Sequence, residues 1–288
     1  MEYGDAPVIP WVGARRPRPL TPTPGRLGTT HLVDLDPRLT ALRDLGGFFA
    51  LRAGDDADRH LPTLAQAYGP RGPDVQHAPD TDPLTIRVRR VAAALRTREA
   101  RVAASVAHQG LAARLWSVAL GCAALYGTVP DLSPGAVRWD PEGSAPDDLR
   151  LAEVRALPGD AASLAAVVLH GHLEPLSAAL RARHRVAPAL LRGNAASALA
   201  AAAREITRHA RPEAAARATR LARDLLTHPL LADAGTFTAP DTDTGSRTGT
   251  PPFRRRSCCL YYRVPGGGVC GDCCFVRPPR SSPRAPTA

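Results

Sequence analysis

The sequence has no lysine: all 37 of its basic residues are arginine, and it has one methionine and few aromatics, 5% of 288 residues. The missing lysine, beside abundant Ala, Arg, Pro and Gly, marks a GC-rich coding bias. That bias weakens the net charge of +10 as a sign of nucleic-acid binding. No uncharged apolar run is long enough to span a bilayer; the best stretch, 115–129, is too short and follows Arg114. The start, Met1-Glu2-Tyr3-Gly4-Asp5, lacks a basic region, and no apolar run follows it, so a secretory signal is not expected. The expectation is a cytoplasmic chain, or one peripheral to the inner membrane face, with no transmembrane segment. No P-loop and no internal repeat is present. With 44% hydrophobic residues the chain can bury a core, which excludes wholesale disorder.

Few aromatics and 29 prolines predict helices rich in Ala and Leu joined by irregular segments. Residues 1–83 read as an arm and a small helical region, with Asp36-Pro37 opening a helix to Leu51 and a connector at 69–83. Residues 84–233 read as a helical body. Its clearest helix has Leu111, Leu115, Val118, Cys122 and Leu125 on one apolar stripe and ends at Gly127. Alternation near 136–157 predicts a small β-hairpin. Three helical pieces follow, with Pro175, Pro188 and Pro212 as breaks or first-turn residues, and Asn194 as a helix cap. Residues 234–252 are a linker, 253–276 a cysteine segment and 277–288 a disordered tail. The fold class is mainly α with a small β element (α+β).

Cysteine is scarce and uneven. Cys122 lies alone on the apolar stripe and reads as core; the other five lie between Cys258 and Cys274. The spacing is Cys-Cys-x10-Cys-x2-Cys, and a cluster of reduced thiols more often binds metal than forms disulfides. A Cys-x2-Cys knuckle aims two thiolates at one centre. The loop between the pairs, with Pro265 and three glycines, can fold back on itself. Adjacent cysteines point to opposite faces of an extended strand, so both serve one site only where the backbone kinks or two metal ions are present. One zinc ion usually draws on two spaced knuckles, whereas a two-iron cluster has ligand positions at both ends. Gly266, Gly268 and Gly271 fit G-x-G-x-x-G, but no helix can follow, so a dinucleotide site is rejected. The scattered histidines, such as His170 and His172, read as core, surface or helix-end residues.

The run Arg-Arg-Ser-Cys258-Cys259-Leu-Tyr-Tyr-Arg-x-Pro-Gly-Gly-Gly-x-Cys270-Gly-Asp-Cys273 resembles the C-terminal signature of the FhuF-like ferric-siderophore reductases. Gly110-Leu-Ala-Ala-Arg114-Leu-Trp116, Tyr126-Gly-Thr-Val-Pro-Asp-Leu and Leu191-Arg-Gly-Asn194 resemble weaker landmarks of that family, so the likeness spans roughly 85–276. It implies a 2Fe-2S cluster on Cys258, Cys259, Cys270 and Cys273, and reduction of Fe(III) in a ferric siderophore by one electron. It further implies an external electron donor, a ferredoxin-like protein or small reductant, and no nucleic-acid partner. Cys274 is a fifth thiol, either a substitute for Cys273 or a bystander. Tyr261, Tyr262 and Arg263 are expected to surround the cluster, with Gly267, Gly268 and Gly271 bringing backbone N–H groups to the sulfurs. Arg114, Trp116, Asn194 and Arg256 are candidates for a substrate pocket. The alternatives are a zinc-stabilised binding module and a ferredoxin-like carrier without its own substrate.

Residues 251–288 hold seven arginines against one acid, Asp272, so more than half of the net charge gathers around the cysteines and the tail. By ordinary valence a cluster of this kind carries about −2, and cations beside it favour its reduction.

Overall fold

The computed structural model describes residues 36–53, 59–69, 81–151, 153–238 and 252–279. The expected N-terminal arm at 1–30, most of the 69–83 connector, most of the 234–252 linker and most of the tail lie outside these residues.

Helix α1 (Asp36–Leu42) is shorter than expected. Gly46, at φ 123°, breaks it into two short 3-10 turns before Leu51 is reached. Strand β1 (Arg52–Ala53) and α2 (Leu64–Tyr68) follow. Helix α3 (Pro83–Ala94) starts on Asp82, whose carboxylate accepts from Thr85 N at 3.0 Å.

Helix α4 (Ala100–Tyr126) is the axis of the molecule and ends at Gly127, in the left-handed region at φ 72°. It is buried on every side between Val102 and Ala124, not along one stripe only. A helix covered all round belongs at the centre of a fold.

Strands β2 (Thr128–Pro130), β3 (Val137–Trp139), β4 (Leu149–Leu151) and β5 (Ala156–Pro158) come next. Strands β3 and β4 pair antiparallel, Trp139 opposite Leu149, and turn Val137, Trp139, Leu149 and Leu151 into the core. Strand β1 joins β4 in parallel, and β2 pairs with β5.

Helix α5 (Ala161–Leu164) continues through a π-helix, Ala165–Leu173, into α6 (Glu174–His184). Pro175 therefore makes no gap; it takes the first turn of α6, where its missing N–H costs least. Helices α7 (Pro188–His209) and α8 (Pro212–Leu226) also open on proline. Helix α7 packs along α4 more extensively than any other element does, and its buried alanines, Ala195 to Ala203, permit close approach of the backbones. Asn194 is not a cap: it lies inside α7, fully buried, and Ala187 holds the N-terminal position. Strands β6 (Gly235–Phe237) and β7 (Phe253–Arg255) form an antiparallel pair that delivers the cysteine segment to the α4–α7 surface.

Candidate metal centre

Strand β7 leads directly into Cys258 and Cys259. The kink demanded by adjacent cysteines falls one residue later, at Leu260, whose φ of 68° is unusual for a side chain without local polar groups. A 3-10 turn, Tyr261–Arg263, follows. Gly267 N donates to Val264 O at 2.8 Å, which folds the loop back. A Cβ on Gly267 would lie 2.5 Å from Tyr261 O, so only glycine fits there. Cys273 N donates to Cys270 O at 3.0 Å and closes the second knuckle.

This path gathers the thiols. Cys259 and Cys270 share a hydrogen bond, Sγ to Sγ 3.5 Å. Cys259 is buried, while Cys258, Cys270, Cys273 and Cys274 are half-buried. Hydrogen bonds from the Cys258 and Cys270 thiols hold the Cys259 pKa far below the usual thiol range. Those two thiols are pushed up in return, with burial adding to the effect. Burial also raises Cys274, and the neighbouring Cys273 adds to that. Among the described residues, no group of three or more His, Cys, Asp or Glu side chains is placed to hold one metal ion. A two-iron cluster asks less of each metal position, since two cysteines serve each iron. Four thiols on two facing turns, with Cys259 and Cys270 already in contact, fit that group.

The backbone donors to sulfur are not the glycines that the sequence suggests. Leu260 N donates to Cys258 Sγ at 3.2 Å and Phe275 N to Cys273 Sγ at 3.4 Å. The left-handed turn at Leu260 places one donor, and the tight Cys270–Cys273 turn places the other. Gly268 and Gly271 have open space where a Cβ would stand.

Polar contacts lock the segment onto the helical body. Ser105 on α4 donates to Cys259 O at 2.7 Å. Asn194 on α7 donates to Ser105 O at 2.8 Å and accepts from Arg255 Nη2 at 2.5 Å. Arg255 also donates to Gln109 Oε1 at 3.1 Å and Leu190 O at 3.3 Å. Asp272 meets Ser197 at 2.6 Å and Arg204 at 3.0 Å. Gly193 makes this approach possible: a Cβ there would lie 2.3 Å from Ser257 Oγ and 2.9 Å from Arg255 Nη2. A smaller apolar contact joins Cys259, Tyr261 and Val264 to Val102. Neither Ser105, Gln109 nor Arg255 was singled out by sequence; their spacing carries no signal, because the contacts join distant parts of the chain.

The remaining candidates have separate places. Arg114 is 1% exposed and pairs with Asp148 at 2.8 Å, while its Nη1 donates to Gly47 O and Phe48 O. Trp116 is wholly buried in the core. Arg256 is exposed and pairs with Asp233 at 3.1 Å. With Asn194 committed to Ser105 and Arg255, the four expected pocket residues face different partners. Arg263 meets both oxygens of Glu99, at 3.0 and 2.9 Å. Glu99 and Asp233 thus neutralise part of the arginine excess seen in the linear sequence. Tyr261 is buried against the cluster segment, and Tyr262 meets Phe275 edge to face, centroids 6.1 Å apart.

A pocket of about 560 Å³ has Leu173, Leu191, Leu231, Arg181 and Arg192 among its walls. On α7 it uses Pro188, Leu191, Arg192 and Ala195, whereas the cysteine segment uses Ala189, Gly193, Asn194 and Ser197. At 3.6 residues per turn these sets lie on opposite faces of the helix.

No helix is long and apolar enough to cross a membrane among the described residues. Residues 255–275 match the family model described as the FhuF 2Fe-2S C-terminal domain, which supports an FhuF-like assignment and a 2Fe-2S cluster as the cofactor. No curated protein matches the chain.

Proposed function

We propose that the chain is a ferric-siderophore reductase acting in the cytoplasm, with Cys258, Cys259, Cys270 and Cys273 as ligands of its 2Fe-2S cluster. The observation that carries this reading is the match of 255–275 to a 2Fe-2S domain in a segment whose thiols, Cys259 buried and the others half-buried, lie at the edge of a helical body. When bound, the cluster supplies one electron to an Fe(III) complex and regains one from an external donor. The product Fe(II) is held weakly by the hard oxygen donors of a siderophore, so it leaves.

The chain's own residues set position and access. Ser105, Asn194 and Arg255 hold the Cys259 backbone against α4 and α7. Tyr261 and Tyr262 keep water from one side. Phe275 and Val276, 38% and 79% exposed, stand beside Cys273 and Cys274 and leave that side open to a substrate or donor.

The test is anaerobic purification with iron, sulfide and zinc analysis, EPR after reduction, and trapping of Fe(II) by a ferrous chelator from ferric hydroxamate and catecholate complexes. Two irons and two sulfides per chain, an S = 1/2 signal and chelator colour dependent on reduced protein are expected. Stoichiometric zinc without sulfide would establish the zinc module instead. A competent cluster that reduces no ferric complex would leave a carrier.

A further inference from the structure

Arg255 is 2% exposed, and its side chain bonds to Gln109 Oε1, Leu190 O and Asn194 Oδ1, all uncharged acceptors. Its Nε has no hydrogen-bond partner among the described residues. No carboxylate pairs with this guanidinium among the described residues. The nearest acid in the network, Asp272, gives its backbone carbonyl to Arg255 N and turns its carboxylate to Ser197 and Arg204. A buried cation without a counter-charge is costly, and proteins rarely keep one. Its bonds tie it to both thiol turns: Arg255 N donates to Asp272 O, between Cys270 and Cys273, and its partner Asn194 donates to Ser105, which in turn donates to Cys259 O.

We propose that Arg255 is the built-in counter-ion of the cluster: its buried guanidinium, which meets no carboxylate among the described residues, is paired by the anionic iron–sulfur centre. This rests on the cluster assignment above and goes beyond it in naming the residue that sets the charge balance. It follows that loading the cluster and docking the segment are coupled. Without the cluster, α4 and α7 enclose an uncompensated positive charge; with it, that charge stabilises the bound centre and most of all its reduced, more negative form. Arg255 is a positioning and tuning residue, not a ligand. The exposed Arg254, which donates to Cys274 O at 3.2 Å, is a different case, because solvent and salt screen it.

The experiment compares wild type, Arg255→Gln, Arg255→Lys, Asn194→Asp and Arg254→Gln as full chains. Each is studied with its cluster and after its removal by anaerobic chelation. The readouts are the reduction potential, from EPR-monitored titration at low and high salt, and the gain in melting temperature on loading. Arg255→Gln is expected to lower the potential at both salt concentrations and to shrink the gain on loading. Arg255→Lys keeps the charge and is expected to stay near wild type in potential.

Asn194→Asp keeps an oxygen on Arg255 but makes it a carboxylate. It gives up the donation to Ser105 O, so its readout is the potential, which is expected to fall. Arg254→Gln is expected to give a small shift that vanishes at high salt. Equal potentials in wild type and Arg255→Gln, with both forms losing the same stability, would overturn the proposal and make Arg255 a structural clamp. Equal shifts in Arg255→Gln and Arg255→Lys would overturn it too. Should Arg255→Gln fail to load, the potentials of Arg255→Lys and Asn194→Asp decide. A wild-type chain that holds no cluster would remove both this proposal and the functional reading. A wild-type cluster with an unmoved potential removes this one alone.

Discussion

The helical body and the cysteine segment each bury an arginine, and they treat it in opposite ways. In the body, Arg114 pairs with Asp148 at 2.8 Å and fills its other donors with the carbonyls of Gly47, Phe48 and Pro146. In the segment, Arg255 has neutral acceptors only, among the described residues. The body's buried arginine thus has its carboxylate, and the body is held by an apolar core running through α4 and α7. The segment has little apolar core of its own: Val102, Cys259, Tyr261 and Val264 make its one small cluster. Its attachment is mainly polar, from Ser105, Asn194, Ser197 and Arg204. One region is finished by its sequence; the other is arranged to be finished by its cofactor.

Removing a ligand tests this contrast most severely. Cys259→Ser is expected to abolish visible absorption and the EPR signal, while far-ultraviolet circular dichroism keeps the helical spectrum. Loss of helix together with the cluster would mean that the body depends on the segment.

Breaking the body's own pair comes next. Arg114→Met strands the buried Asp148 carboxylate and is expected to cost about 3–5 kcal/mol in urea unfolding. Among the described residues, Asp148 retains only Arg87, at 3.8 Å, as a charged neighbour. A cost under about 1 kcal/mol would show that the buried pair contributes no more than a surface one.

Acid should also strike the body. His172 is wholly buried, its ring bonded to Tyr68 Oη and Leu132 O, and burial pulls its pKa down to about 4. His108, bonded to Ser177 at 3.2 Å, is pulled down to about 3 by burial and then by the Arg255 charge. In the unfolded chain both return to about 6.5 and take up protons first. Folding stability is therefore full above about pH 6.5 and falls as the pH drops below it, by up to about 1.4 kcal/mol per pH unit for each histidine. His172→Gln should be less stable at neutral pH but lose stability less steeply between pH 6.5 and 4; an unchanged slope would remove His172 as the cause.

Gly193→Ala separates body from segment more finely. Inside a helix the change should help by about 0.5–1 kcal/mol. Here the new methyl meets Ser257 and Arg255, so docking should weaken by about 1–3 kcal/mol. Faster proteolysis of the segment with an unmoved melting temperature for the body is the expected pattern. Equal protease resistance would mean that the segment shifts at little cost.

Much of the body was legible from local rules. Pro188 and Pro212 mark the starts of α7 and α8, and Gly127 marks the end of α4. The alternation at Val137–Trp139 and Leu149–Leu151 is visible in sequence and pairs in the structure. The cysteine spacing itself announced the site. Three things were hidden because they depend on residues far apart in sequence. Asn194 reads as a cap but is a cross-link, since its partners come from α4 and β7. Arg114 reads as a pocket edge but is neutralised by Asp148 from the β4 strand approach. The glycine-rich loop reads as the source of N–H groups for sulfur, yet Leu260 and Phe275 provide them.

The smallest expected effect concerns two neighbouring thiols. Cys273 closes the turn from Cys270 and accepts from Phe275 N, so its sulfur is already held by backbone. Cys274 has its carbonyl tied to Arg254, and its thiol pKa is raised by burial and by the charge of Cys273. A thiol one residue past the turn, beside one whose sulfur the turn already fixes, is the poorer ligand. Cys274→Ser is therefore expected to keep iron, sulfide and the EPR line shape, while Cys273→Ser loses most of the iron under the same anaerobic purification. Equal retention in both would mean that either thiol can complete the set, and the segment's order would then be set by the cluster more than by its turns.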